Sequence, residues 1–147
     1  MANFRIYVEK RPAFQVEALS LKNELNENLQ LNLQSLRYIN VYDLFGFTSE
    51  LLEQCRYSVF GETVTDTVSD ECDRTRTPYL AVEYLPGQFD QRASSAVDCV
   101  HLIDPQAEVE IRSSRLLIFD EQVTPAELDK IRRYYINAVE SREKDLS

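Results

Sequence analysis

The sequence predicts an α+β domain of two tandem halves, antiparallel sheets with helices packed on one face, the halves meeting as a pseudo-dimer. Three observations predict it. Period-two apolar alternation and three-to-four-residue apolar spacing take turns along the chain, each element has one apolar side, and the order of elements begins again after a polar stretch. The expected boundaries are 1–72 for the first half and 78–147 for the second, joined by a connecting loop at 69–78.

The elements follow in order. In Phe4 to Lys10, Phe4, Ile6 and Val8 alternate with Arg5, Tyr7 and Glu9, as in a strand with one buried face. Pro12 opens a helix whose inward stripe is Phe14, Ala18, Leu21, Leu25 and Leu29. Leu36 to Phe45 reads as a second strand. Thr48 then caps a helix that turns Leu51, Leu52, Cys55 and Val59 inward. Thr63 to Val68 is β-branched enough for a short strand. After the loop come a strand at Tyr79 to Leu85, a helix from Gln91 to Ile103, a strand at Arg115 to Glu121 and a helix from Pro125 to Ile136. Residues 109–114 either lengthen the third of these or form a hairpin arm with it. Thr124, Pro125 and Glu127 compose a capping box.

Shifting the chain against itself by 77 residues pairs Tyr7 with Tyr84, Leu25 with Leu102, Asp43 with Asp120 and Glu50 with Glu127. Leu51 with Leu128, Arg56 with Arg133 and Tyr57 with Tyr134 complete the identities. A tandem duplication accounts for both these pairs and the repeated element order.

Composition removes several function classes. A net charge of -9 speaks against nucleic acid, whose phosphates need clustered Lys and Arg. No apolar run approaches the roughly 20 residues that span a membrane. Cys55, Cys72 and Cys99 are odd in number and irregular in spacing, which fits reduced thiols and a cytoplasmic protein. No secretory leader is expected.

Chemistry-bearing clusters are few. Asp70, Glu71 and Asp73 around Cys72 read as a solvated acidic loop rather than a metal site. His101 lacks a nucleophile partner and reads as a surface or packing residue. Arg132, Arg133, Tyr134 and Tyr135 sit where a helix dipole welcomes cations. The sequence carries neither a phosphate-cradling glycine loop nor a nucleophile, base and orienter set, so no catalytic residue is assigned.

The stretch PGQFDQRASSA, Pro86 to Ala96, is the most pointed. Pro86 and Gly87 make a turn and Asp90 caps the following helix, leaving Gln88, Gln91 and Arg92 with no local task. Two amides beside a guanidinium fork suit a carboxylate, a phosphate or another backbone. Ala93, Ser94, Ser95 and Ala96 give the helix a narrow face that a second surface could approach.

Several stretches together resemble one family: RIYVEK (Arg5 to Lys10), VYDL (Val41 to Leu44), VFGE (Val59 to Glu62) followed by Asp66, EYLPGQFDQRASSA (Glu83 to Ala96) and INAVESRE (Ile136 to Glu143). In this order they look like the N-terminal domain of large single-chain phosphoribosylformylglycinamidine synthase, the formylglycinamide ribonucleotide amidotransferase. The family usually places Pro where this chain has Ala138.

The resemblance implies a ligase of purine biosynthesis. It uses ATP and Mg²⁺ to activate an amide oxygen of formylglycinamide ribonucleotide and displaces phosphate with ammonia drawn from glutamine. It also implies that the halves are ferredoxin-like and similar to the small PurS subunits that smaller synthases carry separately. Synthetase and glutaminase domains of the same polypeptide would then lie beyond Ser147, and this fragment alone would be inactive, with no cofactor of its own. The implied task is to dock on the synthetase domain and help enclose the ammonia route, because ammonia protonated in bulk water is no nucleophile. Gln88, Asp90, Gln91 and Arg92, with Glu140, Ser141 and Arg142, are the expected docking surface. A single undivided sheet with the arginine-bearing edge folded inward and fully consumed by its own neighbours would overturn that reading. The alternative is a regulatory small-molecule-binding module of the ACT kind, although the first strand-to-helix turn, Lys10 to Ala13, lacks the glycines such sites use.

Overall fold

The computed structural model describes residues 3–72, 77–85, 87–138, 141–144 and 146, and of residues 137, 138 and 141 the backbone only. Six strands and four helices follow one another as β1 (Phe4–Lys10), α1 (Val16–Leu29), β2 (Leu36–Phe45), α2 (Ser49–Cys55), β3 (Asp66–Ser69), β4 (Tyr79–Tyr84), α3 (Gln91–Ile103), β5 (Glu110–Phe119), α4 (Pro125–Ala138) and β6 (Ser141–Glu143). The α+β class expected from the sequence is the class observed.

The sheets expected of the two halves are joined into one. Its strand order is β3-β1-β2-β5-β4-β6, and every neighbouring pair is antiparallel. The seam is β2 against β5, from Leu36 opposite Phe119 to Phe45 opposite Glu110. Separate three-stranded sheets would each leave a ten-residue strand as a bare edge. Unpaired N–H and C=O groups on such an edge invite association with other chains. Pairing them satisfies both, and the outer edges that remain are the four-residue β3 and the three-residue β6.

Strand alternation divides the sheet into two faces. On the helix face lie Ile6, Val8, Tyr42, Leu44, Leu80, Val82, Leu117 and Phe119. The packing there crosses between halves. Ala93, Ala96 and Val100 of α3 join Leu51, Leu52 and Cys55 of α2 over β1 and β2, while Leu25 of α1 joins Ile131 and Tyr135 of α4 over β4 and β5. Each half therefore supplies a helix to the other's core. On the opposite face Tyr7, Ile39, Val41, Ala81, Leu116 and Ile118 are buried with Leu146, and Cys72 packs against them.

Local signals account for most element ends. Thr48 Oγ1 accepts from the Leu51 N–H at 3.1 Å. At α4 the Thr124 and Glu127 side chains each accept from the other's backbone N–H, at 3.1 and 2.9 Å. Residues 110–119 form one strand with no hairpin arm. It stops before Asp120, whose carboxylate turns to accept from the N–H groups of Gln34 and Ser35.

Three local expectations are corrected. Phe14 is 41% exposed, because Pro12–Phe14 is a separate 3-10 turn that falls out of phase with α1. The β3 strand starts at Asp66 rather than Thr63: Asp66 donates its N–H to the Glu62 carbonyl and accepts the Glu62 N–H on its carboxylate, which closes a turn over 62–66. The strand after the loop ends at Tyr84, where the Leu85 N–H is taken by the Gln88 side chain.

Candidate binding cleft

Residues 87–90 form a protrusion tied down by hydrogen bonds. Gly87 has φ of +87°, the left-handed region glycine favours, and a Cβ built there would meet nothing within 4 Å. Gln88 closes the turn twice, donating its N–H to the Leu85 carbonyl and accepting the Leu85 N–H on Oε1 at 3.0 Å. Asp90 does more than cap α3. Its Oδ1 accepts from the Ala93 N–H at 3.0 Å and from Ser113 Oγ at 2.7 Å, while Oδ2 accepts from the Ser113 N–H at 2.8 Å. The carboxylate thus latches the start of α3 onto β5.

The small-residue face of α3 has a different use from the one expected. Ala93 and Ala96 are buried against the chain's own core, where their short side chains let α3 sit close to β5 and α2. Gln91 and Arg92 point elsewhere. They open into a cleft of about 480 Å³ between the two helix pairs, together with Glu17 of α1, Tyr38 and Tyr42 of β2, Tyr84 of β4, Ser95 and Cys99 of α3, and Arg115 of β5. The central seam of the sheet is its floor.

Two guanidinium groups dominate the electrostatics. Arg92 stands at the mouth and hydrogen-bonds the Tyr42 hydroxyl. Arg115 is half-buried on the floor, where Nη2 donates to Tyr84 Oη at 3.0 Å and the guanidinium lies 5.3 Å from the centre of the Tyr84 ring. Burial works to lower both arginine pKa values, but the surrounding tyrosines outweigh it and both stay charged. Burial also pushes the hydroxyls of Tyr38 and Tyr42 up, so they remain neutral donors despite the opposing arginines.

Neither arginine forms an ion pair among the described residues. Arg5, Arg37, Arg56, Arg112, Arg132, Arg133 and Arg142 all do.

Five of the seven docking candidates line two separate clefts. Gln91 and Arg92 line the helix-side cleft. Gln88, Asp90 and Arg142 line a second cleft of about 450 Å³ with Asp43, Glu83 and Lys144. Tyr84 borders both, so the end of β4 divides them. Arg142 grips Glu83 through Nε at 2.7 Å and Nη2 at 2.6 Å. Ser141 begins β6 opposite Tyr84. Glu140 lies outside the described residues, as do Pro86 and Asp73.

The remaining clusters are accounted for locally. Asp70 pairs with Arg56 at 2.9 Å. Among the described residues no group of three His, Cys, Asp or Glu side chains is placed to hold a metal ion. His101 Nε2 lies 3.0 Å from the Ala107 carbonyl oxygen. Arg132 and Arg133 pair with Asp129, Tyr134 donates to Glu24 at 2.6 Å, and Tyr135 is buried in a core.

Sequence reasoning passed over two features. Arg115 shares its strand phase with Leu117 and Phe119, so an arginine on the inward face was a visible signal. Phe89 is 73% exposed at the tip of the protrusion, an aromatic that its own fold leaves uncovered.

The arrangement is that of an α+β protein with an arginine and tyrosine cleft over its central strands. Compared with known proteins, the chain matches no family model, no curated protein and no solved structure.

Proposed function

We propose that this chain is the N-terminal, PurS-like accessory domain of a single-chain phosphoribosylformylglycinamidine synthase, a cytoplasmic ligase of purine biosynthesis. In this reading it docks on the synthetase domain of the same polypeptide and helps enclose the path of ammonia from the glutaminase domain. It performs no covalent chemistry, and ATP and Mg²⁺ act elsewhere in the enzyme. Two tandem half-copies underlie it. Reading outward from the seam, each half presents its second, first and third strands in that order, which supports the duplication.

The observation that carries the docking role is the condition of the protrusion. Its backbone is fixed by Gln88 and Asp90, while it holds out Phe89, 73% exposed, and an Arg92 without a carboxylate partner among the described residues. Exposed aromatics and arginines are frequent anchors of a protein interface.

The test is made in the full-length enzyme with Phe89→Ala and Arg92→Ala. Glutamine-dependent synthesis is expected to fall at least tenfold, with ammonia-dependent synthesis at high ammonium retained. Unchanged rates and unchanged coupling of glutamine hydrolysis to synthesis in both variants would remove the docking role.

A further inference from the structure

We infer that the cleft between the helix pairs is itself a ligand site, selective for a compact dianion of the phosphate monoester type. This goes beyond docking, since it assigns the chain a small-molecule ligand of its own.

The first argument is charge placement. In a chain with 25 acidic and 16 basic residues, a carboxylate partner is easily supplied to an arginine. Among the described residues seven arginines have one, whereas exposed Arg11 and the two in this cleft do not, and of these three only the cleft arginines share one concave site. Glu17 is the one acidic residue lining the cleft; its charge acts on Arg92 from a distance, but it forms no ion pair with either arginine. The missing counter-charge is therefore left to a ligand.

The second argument is donor number. Each guanidinium presents five N–H donors and accepts nothing. A single carboxylate saturates one guanidinium fork and leaves the other cation as it was. A phosphate monoester carries close to two negative charges and three terminal oxygens, enough to engage both forks at once. Tyr38 and Tyr42 add neutral hydroxyl donors held in that state by burial, and Gln91 adds an amide at the rim. Arg92 bonds Tyr42 and Arg115 bonds Tyr84, and the guanidinium donors left over are more than a monoanion can fill.

The third argument is access and size. Arg92 at the mouth and half-buried Arg115 on the floor set one positive charge behind the other, which draws an anion inward. A space of about 480 Å³ lies within the usual range for small-molecule sites and leaves room for the organic part of an ester beyond its phosphate. Glu17 opposes any anion at the rim, so it limits affinity.

The test uses the 147-residue chain in phosphate-free buffer at pH 7.5 and constant ionic strength. Inorganic phosphate, phenyl phosphate and acetate are titrated separately, with heat and melting temperature as readouts. Both phosphates are expected to bind saturably and raise the melting temperature, with phenyl phosphate the tighter, while acetate matches chloride. Arg92→Gln should weaken phosphate at least tenfold, a loss read against the variant's own anion-free melting temperature because the substitution also removes the Tyr42 hydrogen bond. Arg115→Gln should weaken it as strongly, and Glu17→Gln should tighten it several-fold. No saturable effect beyond chloride, acetate binding as tightly as phosphate, or full binding in the Arg92→Gln/Arg115→Gln double variant would each overturn the inference. The isolated chain is its own control, so this result and the docking result fail independently.

Discussion

Lys144 Nζ lies 2.8 Å from Asp43 Oδ2, while Arg5 Nε reaches Oδ1 of the same carboxylate at 2.6 Å. One buried carboxylate in β2 thereby holds both the first strand and the last described segment. Arg5 also donates to the Leu146 carbonyl at 2.8 Å, and the Lys144 N–H donates to the Ala81 carbonyl at 2.7 Å. Asp43→Asn keeps the shape but leaves two cations facing a neutral amide. Removing one partner of a buried pair costs about 3–5 kcal/mol, and the partial exposure of Arg5 places this case near 3 kcal/mol. Urea unfolding of the variant should show that loss with an unchanged m-value.

Acid should unfold the protein through a small set of carboxylates. Burial works to raise Asp43, Asp66 and Asp120, but is outweighed in each: by Lys144 and Arg5, by the Glu62 N–H and Lys10, and by Ser35 with the Gln34 N–H. All three are held below the ordinary carboxylate value. A carboxylate of lower pKa in the folded state stabilises fully above its unfolded value of about 3.9 and loses that contribution as pH falls through the folded value. The urea midpoint should therefore hold steady from pH 5 to 8 and drop below about pH 4. In Asp43→Asn that drop should be shallower, since one of the three titrations is gone.

Shared cores predict a single cooperative transition. Leu25 is fully buried against residues of β4, β5 and α4, so Leu25→Ala should cost about 2–5 kcal/mol. Far-ultraviolet circular dichroism and tyrosine fluorescence should give coincident unfolding curves in both wild type and variant. A first phase confined to one half would show that the crossed helices do not couple them.

Asp90→Ala removes the α3 cap and both bonds to Ser113. Loss of a cap costs about 1 kcal/mol, and the unpaired Ser113 groups raise the expected total to about 2–3 kcal/mol. The same variant should loosen the start of α3, read as faster amide exchange at Ala93 and Ser94 than in Arg92→Ala.

The elements legible in the sequence are those whose own pattern suffices. β1, β2 and α3 have the expected limits, because alternation in β1, a dense apolar and aromatic run in β2 and the Asp90 cap of α3 mark them locally. β6 carried no such mark. Its Ser-Arg-Glu triplet is ordered by β4 and by the pairing of Arg142 with Glu83, partners that no local window contains. The cleft was half legible. Gln91 and Arg92 stood out as residues with no local task, whereas Arg115, Tyr38 and Tyr84 join them only once β2 pairs with β5 and β4 with β5. The alanines of α3 misled for a related reason: small side chains signal close approach, and here the approaching surface is the chain's own sheet.

The seam between β2 and β5 also dictates a timetable. While the polypeptide is being synthesised at roughly 5–20 residues per second, β2 emerges seconds before the strand that will cover its flank. During that interval Leu25 has Leu33, Leu36 and Tyr38 beside it but lacks the side chains of β4, β5 and α4 that complete its core. High contact order of this kind slows folding and exposes sticky surface to chaperones. Synonymous codons that lengthen the pause between the two strands should therefore lower the yield of native protein, even though not one amino acid is altered.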